Sequence, residues 1–104
     1  MRKALIKVNG IPAAIFSEIN YGKSYEVAYL PDYQGNPISL TMPLKGKHYH
    51  FEMFPPFFDG LLPEGMQLEG LLRLQKIDRH DYFSQLMCVG EDMVGAVTAE
   101  EIEL

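Results

Sequence analysis

The sequence has one cysteine, no tryptophan and no long apolar run. Each shortage removes a class of protein. A single thiol, Cys88, excludes an intramolecular disulfide framework and any zinc site built on several cysteines. Because it lies in Leu86-Met87-Cys88-Val89, it is expected to be a small buried apolar side chain. The longest apolar stretches, such as Ile11 to Phe16, stop far short of the roughly 18–20 residues that cross a bilayer. Lys7 and Asn9 interrupt the N-terminal segment before a signal-peptide core can form. A cytoplasmic protein with no membrane partner is the expectation. Also lacking are a Gly-x-Ser-x-Gly elbow, a Gly-x-Gly-x-x-Gly turn and a phosphate-cradling loop ending in Lys-Ser or Lys-Thr. No catalytic residue and no cofactor site is therefore assigned.

Positive charge is absent from one end. All nine Lys and Arg fall within residues 1–90, where nine Asp and Glu balance them, and Glu91, Asp92, Glu100, Glu101 and Glu103 bring the net charge to -5. A neutral body with an acidic end lacks the basic footprint that drives counterion release, so direct binding to nucleic acid is not expected.

What is present suits one domain. At 104 residues, with 47% apolar and 22% charged residues, the chain can bury a single core. Ala4, Ile6 and Val8 alternate with Lys3, Leu5 and Lys7 as in a half-buried strand, and Asn9-Gly10 is a strong hairpin signal, so Ile11 to Ile19 returns antiparallel. A turn at Asn20-Tyr21-Gly22 leads to a third strand over Lys23 to Leu30, in which Tyr25, Val27 and Tyr29 share a face. Residues 31–37 form a loop, and short extended pieces follow at Ile38 to Met42 and His48 to Met53. The period then changes. Helices are expected near 55–61, near 63–75 with Pro63 at the first position and Leu68, Leu71, Leu72 and Leu74 buried, and near 79–88 behind a capping box of Asp78 and Asp81. Gly90 closes the last helix, and a final strand spans about 94–99. The expected fold class is α+β: a small antiparallel meander or partial barrel, then short helices and a closing strand.

Two places invite chemistry. His48, His50 and Glu52 fall on one face of a strand and could converge on a metal, though no second cluster supplies a fourth ligand or an outer shell. Asp78-Arg79-His80-Asp81 contains kinase-loop residues in the wrong order, and a helix cap accounts for both aspartates. A third segment, Phe57 to Met66, resists a purely structural reading. It carries two Phe, two Leu and a Met interrupted by Gly60, Pro63 and Gly65, so one regular face cannot bury them all. Exposed Met and Leu are what interaction surfaces use.

Phe57-Phe58-Asp59-Gly60-Leu61-Leu62-Pro63-Glu64-Gly65 resembles a signature of the N-terminal subdomain of HipA-family toxin kinases. Further pieces agree in order: Tyr25 to Leu30, Pro37-Ile38-Ser39-Leu40, Met42-Pro43-Leu44, Asp81 to Leu86, Val89-Gly90-Glu91-Asp92 and Val94-Gly95-Ala96-Val97. HipA kinases are about four times longer, with their catalytic residues beyond this region, so the resemblance implies a non-catalytic domain. It is similar to the small HipS family of tripartite HipBST systems, which implies an antitoxin. Its implied partners are a HipT-like Ser/Thr kinase, which it would inhibit, and a HipB-like DNA-binding protein in a ternary complex. The acidic run Glu100 to Leu104 is compatible with a natural terminus. The alternatives are a non-catalytic regulatory fragment of a full-length HipA-type kinase, or a metal-dependent enzyme using His48, His50 and Glu52. On the resemblance, the partner-binding residues are Leu62, Pro63, Glu64, Gly65 and Met66. Family members can carry other large residues, aromatics included, where this chain has Met66.

Overall fold

A computed structural model describes residues 1–90 and 96–102. Five strands, β1 (Arg2–Val8), β2 (Ile11–Asn20), β3 (Ser24–Tyr29), β4 (His48–Phe51) and β5 (Val97–Ile102), form one antiparallel sheet in the order β4-β3-β2-β1-β5. Helices α1 (Pro56–Asp59), α2 (Gly65–Gln75) and α3 (Tyr82–Val89) lie between β4 and β5 in the chain. The fold is α+β, as expected. The sheet is open rather than a barrel, with β4 and β5 at its two edges.

Asn9 and Gly10 both take positive φ (53° and 80°), which a type I′ hairpin turn demands of its central residues. Pro12 sits at a bulge where the β1–β2 register shifts between Ile6 and Lys7, a position where its missing N–H is tolerated. Cross-strand pairs Ala4–Phe16, Ile6–Ala14, Phe16–Val27 and Ile6–Ala99 place these residues on one face. That face is the core. Phe16 is its hub, with ring centroids of Phe58 at 4.6 Å, Phe83 at 5.5 Å, and Tyr25 and Phe54 at 5.8 Å. Such aromatic pairs add about 0.5–1.5 kcal/mol each beyond their buried area.

Period two also puts Arg2 and Glu18 on the core face, at its end. Glu18 is 3% exposed, and its carboxylate accepts from Arg2 Nε at 2.7 Å and from the Gly22 amide at 3.2 Å. The same guanidinium reaches Asp81 at 2.9 Å and Ser84 at 2.8 Å, clamping the start of α3 onto the sheet. Burial pushes the Asp81 carboxyl up, but hydrogen bonds from Arg2 and Ser84, with the Arg2 charge, outweigh it and hold the group below its ordinary value.

Several expectations are corrected. The cap of α3 is Asp81, whose side chain accepts from the Ser84 amide, while Asp78 is spent on a local turn to the His80 amide. Pro63 does not begin α2: Glu64 is extended, and the helix starts at Gly65. Cys88 is exposed, because α3 turns Phe83 and Leu86 to the core instead. Residues 38–42 make only an isolated bridge between Ser39 and Met42, and β4 stops at Phe51. The closing strand runs Val97–Ile102, and Val94 and Gly95 lie outside the described residues. Among the described residues no helix is long and apolar enough to cross a membrane.

Candidate partner-docking site

Residues 55–66 build a turn that is anchored in the core at one end and exposed at the other. Pro56 occupies the first position of α1, where its fixed φ suits a helix and its missing N–H is unneeded. One turn later the chain leaves the helix, through bonds from the Leu61 amide to the Phe58 carbonyl at 3.0 Å and from the Leu62 amide to the Asp59 carbonyl at 3.2 Å. Phe58 and Leu62 drive into the core, so the turn is pinned at two points four residues apart. Phe57 and Leu61 stay half-buried on its flank.

Beyond Leu62 the backbone turns outward. Glu64 is extended, and Gly65 takes φ 59°, a left-handed conformation that costs a side-chain-bearing residue about 1–2 kcal/mol. The next residue, Met66, is 92% exposed. Asp59 and Glu64 are exposed as well and join no ion pair among the described residues.

The five residues assigned from sequence therefore divide. Leu62 belongs to the protein's own core, Pro63 is half-buried, and Glu64, Gly65 and Met66 stand in solvent. An exposed methionine two residues after an exposed, unpaired Glu64 can enter an apolar slot with a basic rim.

Helix α2 continues this surface. It has no buried side chain: Leu68, Leu71 and Leu72 are only half-buried, and Leu74, expected inside, is 80% exposed. Its C-terminus closes at Lys76 in the left-handed region, whose amide bonds the Leu72 carbonyl, and an Arg79–Glu69 ion pair ties it to the following loop. Sequence reasoning missed the exposure of Leu74 and the free carboxylate of Asp59, whereas Glu64 was among the residues it assigned. The leucine pattern of α2 marks a helix that could be buried, but only the surroundings decide whether it is.

The histidine strand does other work. His48 Nε2 lies 2.9 Å from Glu26 on the neighbouring strand, and His50 Nε2 lies 3.5 Å from Glu52. No group of three His, Cys, Asp or Glu side chains that could hold a metal is found among the described residues.

Comparison with known proteins adds three findings. The family described as HipA N-terminal domain matches residues 4–100. An uncharacterized protein of Haemophilus influenzae is 38% identical over 79 residues, covering 76% of this chain and 74% of that protein. A solved structure of the N-terminal domain of HipA toxin superposes with a TM-score of 0.79 at 33% identity, covering 99% of this chain and 94% of that one.

Proposed function

The chain belongs to the HipA N-terminal domain family, and from that premise we propose that it is a non-catalytic antitoxin that docks on a HipT-like Ser/Thr kinase and suppresses phosphoryl transfer. The observation that carries the reading is Met66, 92% exposed at the start of a helix that buries none of its side chains. With no phosphate-binding or catalytic motif of its own, the chain would act by occupying space or by favouring one kinase conformation over another. Met66 is the proposed anchor near the nucleotide cleft, with Glu64 facing a basic residue there. A HipB-like DNA-binding protein would complete the assembly.

Co-expression with a HipT-like kinase tests this. The expected result is a co-purifying complex and loss of toxicity; a fully toxic kinase that does not co-purify refutes it. Met66→Ala sharpens the test. Removing an interface anchor costs about 2 kcal/mol or more, roughly 30-fold in affinity, whereas removing a side chain this exposed leaves thermal stability within about 0.5 kcal/mol. The likeness to a HipA N-terminal domain over 99% of the chain supports a second reading, a regulatory domain whose same surface packs on its own kinase. Adding the isolated chain to a kinase lacking this domain separates the two, because only the antitoxin inhibits it in trans.

A further inference from the structure

Strand β4 lies at an edge of the sheet, and its outer side is unguarded. The Tyr29 amide bonds the Lys47 carbonyl at 2.8 Å, and in an antiparallel ladder bonded pairs recur at every second residue. In the β3–β4 register the bonded pairs are therefore Val27–Tyr49 and Tyr25–Phe51, so the backbone N–H and C=O groups of His48 and His50 turn away from the sheet. No turn or loop among the described residues takes them up. The opposite edge differs, because on β5 the Ala99 amide donates to the Gly90 carbonyl. Sheet edges are commonly blunted by lysine, proline or a bulge, and β4 contains none of the three. Its side chains show the same opening: Tyr25 and Val27 are buried, whereas Phe51 and Tyr49, paired with them on the core face, are only half-buried.

The pattern about His50 is self-complementary. A second copy of the strand, antiparallel about a two-fold axis at His50, sets His48 opposite Glu52 and Tyr49 opposite Phe51, each pair occurring twice. The histidine–glutamate pairs fall at hydrogen-bonded positions and the aromatic pairs at the non-hydrogen-bonded ones, where side chains come closer. Moving the axis to Tyr49 sets histidine against histidine, and moving it to Phe51 runs the pairing into Phe54, which is buried in the protein's own core. Glu52 is exposed, 3.5 Å from His50 on the same face. We infer that two copies of this chain pair through β4, antiparallel about His50, joining two five-stranded sheets into one through roughly six backbone hydrogen bonds. The contact is smaller than the roughly 1,200 Å² of a standard interface, so the dimer is weak, with a Kd between about 10 µM and 1 mM. It uses none of the residues assigned to kinase docking and stands independently of that reading.

Sedimentation equilibrium of the isolated chain from about 10 µM to 2 mM reads the association directly. The expected course is monomer at the low end and reversible dimer at the high end. His50→Pro removes the amide on the axis and spares the inward bonds, since an edge tolerates proline, and is expected to stay monomeric throughout. Glu52→Lys, a change at an exposed side chain, is expected to weaken dimerisation about tenfold. Cross-linking reads the register without relying on the proline variant. With the native thiol removed by Cys88→Ser, His50→Cys brings two thiols across the axis with Cα atoms about 5.5 Å apart, within reach of a disulfide, and mild oxidation is expected to give a covalent dimer. His48→Cys, whose two copies lie about four residues apart along the ladder, is expected not to. Monomer up to about 2 mM overturns the inference, as does a dimer that His50→Pro retains, and equal cross-linking through His48→Cys overturns the register. Should the chain stay monomeric while His50→Pro loses a HipT-like kinase that the unmutated chain binds, the edge belongs to a strand of that partner and the second copy is overturned.

Discussion

Replacing Asp81 by alanine probes the junction between the sheet and the helical half. The carboxylate caps α3 through the Ser84 amide at 3.2 Å, accepts the Ser84 hydroxyl at 2.7 Å, and receives Arg2 at 2.9 Å. An N-cap is worth about 1 kcal/mol and a hydrogen bond to a charged group about 1.5–3 kcal/mol. Arg2 keeps Glu18 as a partner, so its charge is not stranded, and the expected loss is about 2–4 kcal/mol. For a domain of this size that lowers Tm by roughly 10–20 °C. Asp78→Ala, which removes only the local turn to the His80 amide, is expected to cost under about 1 kcal/mol. Chemical denaturation of the two variants is the assay. A loss below about 0.5 kcal/mol for Asp81→Ala, or an equal loss for Asp78→Ala, refutes the reasoning. The pH dependence supplies a second check. Asp81 is held below its ordinary value when folded, so near pH 4 the unfolded chain binds more protons at this site and stability rises with pH. The contribution is complete above the unfolded value of about 3.9 and disappears as pH falls through the folded value, and Asp81→Asn should lose that slope.

Three further outcomes are expected. Phe16→Ala, which empties the centre of a four-partner aromatic cluster, should cost about 3–5 kcal/mol in denaturant unfolding. Gly90→Ala should destabilise by about 1–3 kcal/mol, because a Cβ there would fall onto the Ala99 carbonyl and force α3 from β5; an unchanged Tm contradicts that contact. Tyr29→Phe should loosen residues 38–42 in hydrogen exchange and cost about 1–3 kcal/mol, since the phenol accepts from the Ile38 amide at 2.9 Å and donates to the Met42 carbonyl at 2.5 Å.

The first three strands are legible in the sequence because their causes are local. Alternation in Ala4, Ile6 and Val8 and the Asn9-Gly10 turn set both pairing and facing, and the structure keeps them. Helix starts are less so. Asp78 and Asp81 are both competent caps, and what selects Asp81 is Arg2, 79 positions away in the chain. Burial within helices is legible only when something covers the helix. The leucines of α2 carry the same pattern as core leucines, but no side chain of α2 is buried. Cys88 fails for the converse reason: its apolar neighbours Leu86 and Val89 are turned inward or held at the rim, and the thiol takes the outer side of α3. The segment Phe57 to Met66 is recognisable as apolar residues that no regular face could hold, but which of them are covered depends on the rest of the fold: Phe58 and Leu62 enter the core, while Met66 is exposed.

The strand order has a consequence for the time course of folding. β1 lies between β2 and β5, and its β5 partners are almost a whole chain away, Val8 meeting Val97 and Lys3 meeting Ile102. The β1–β2 hairpin can form as soon as it is made, whereas at about 5–20 residues per second the strand that covers its other side arrives roughly 5–20 s later. Throughout that interval β1 is an open edge, able to template pairing with another nascent chain. Lysine is the residue that blunts such edges, and β1 carries Lys3 and Lys7 among its apolar residues. When β5 arrives, Glu100 meets Lys7 at 3.2 Å, so the charge that guarded the growing edge becomes part of its closure.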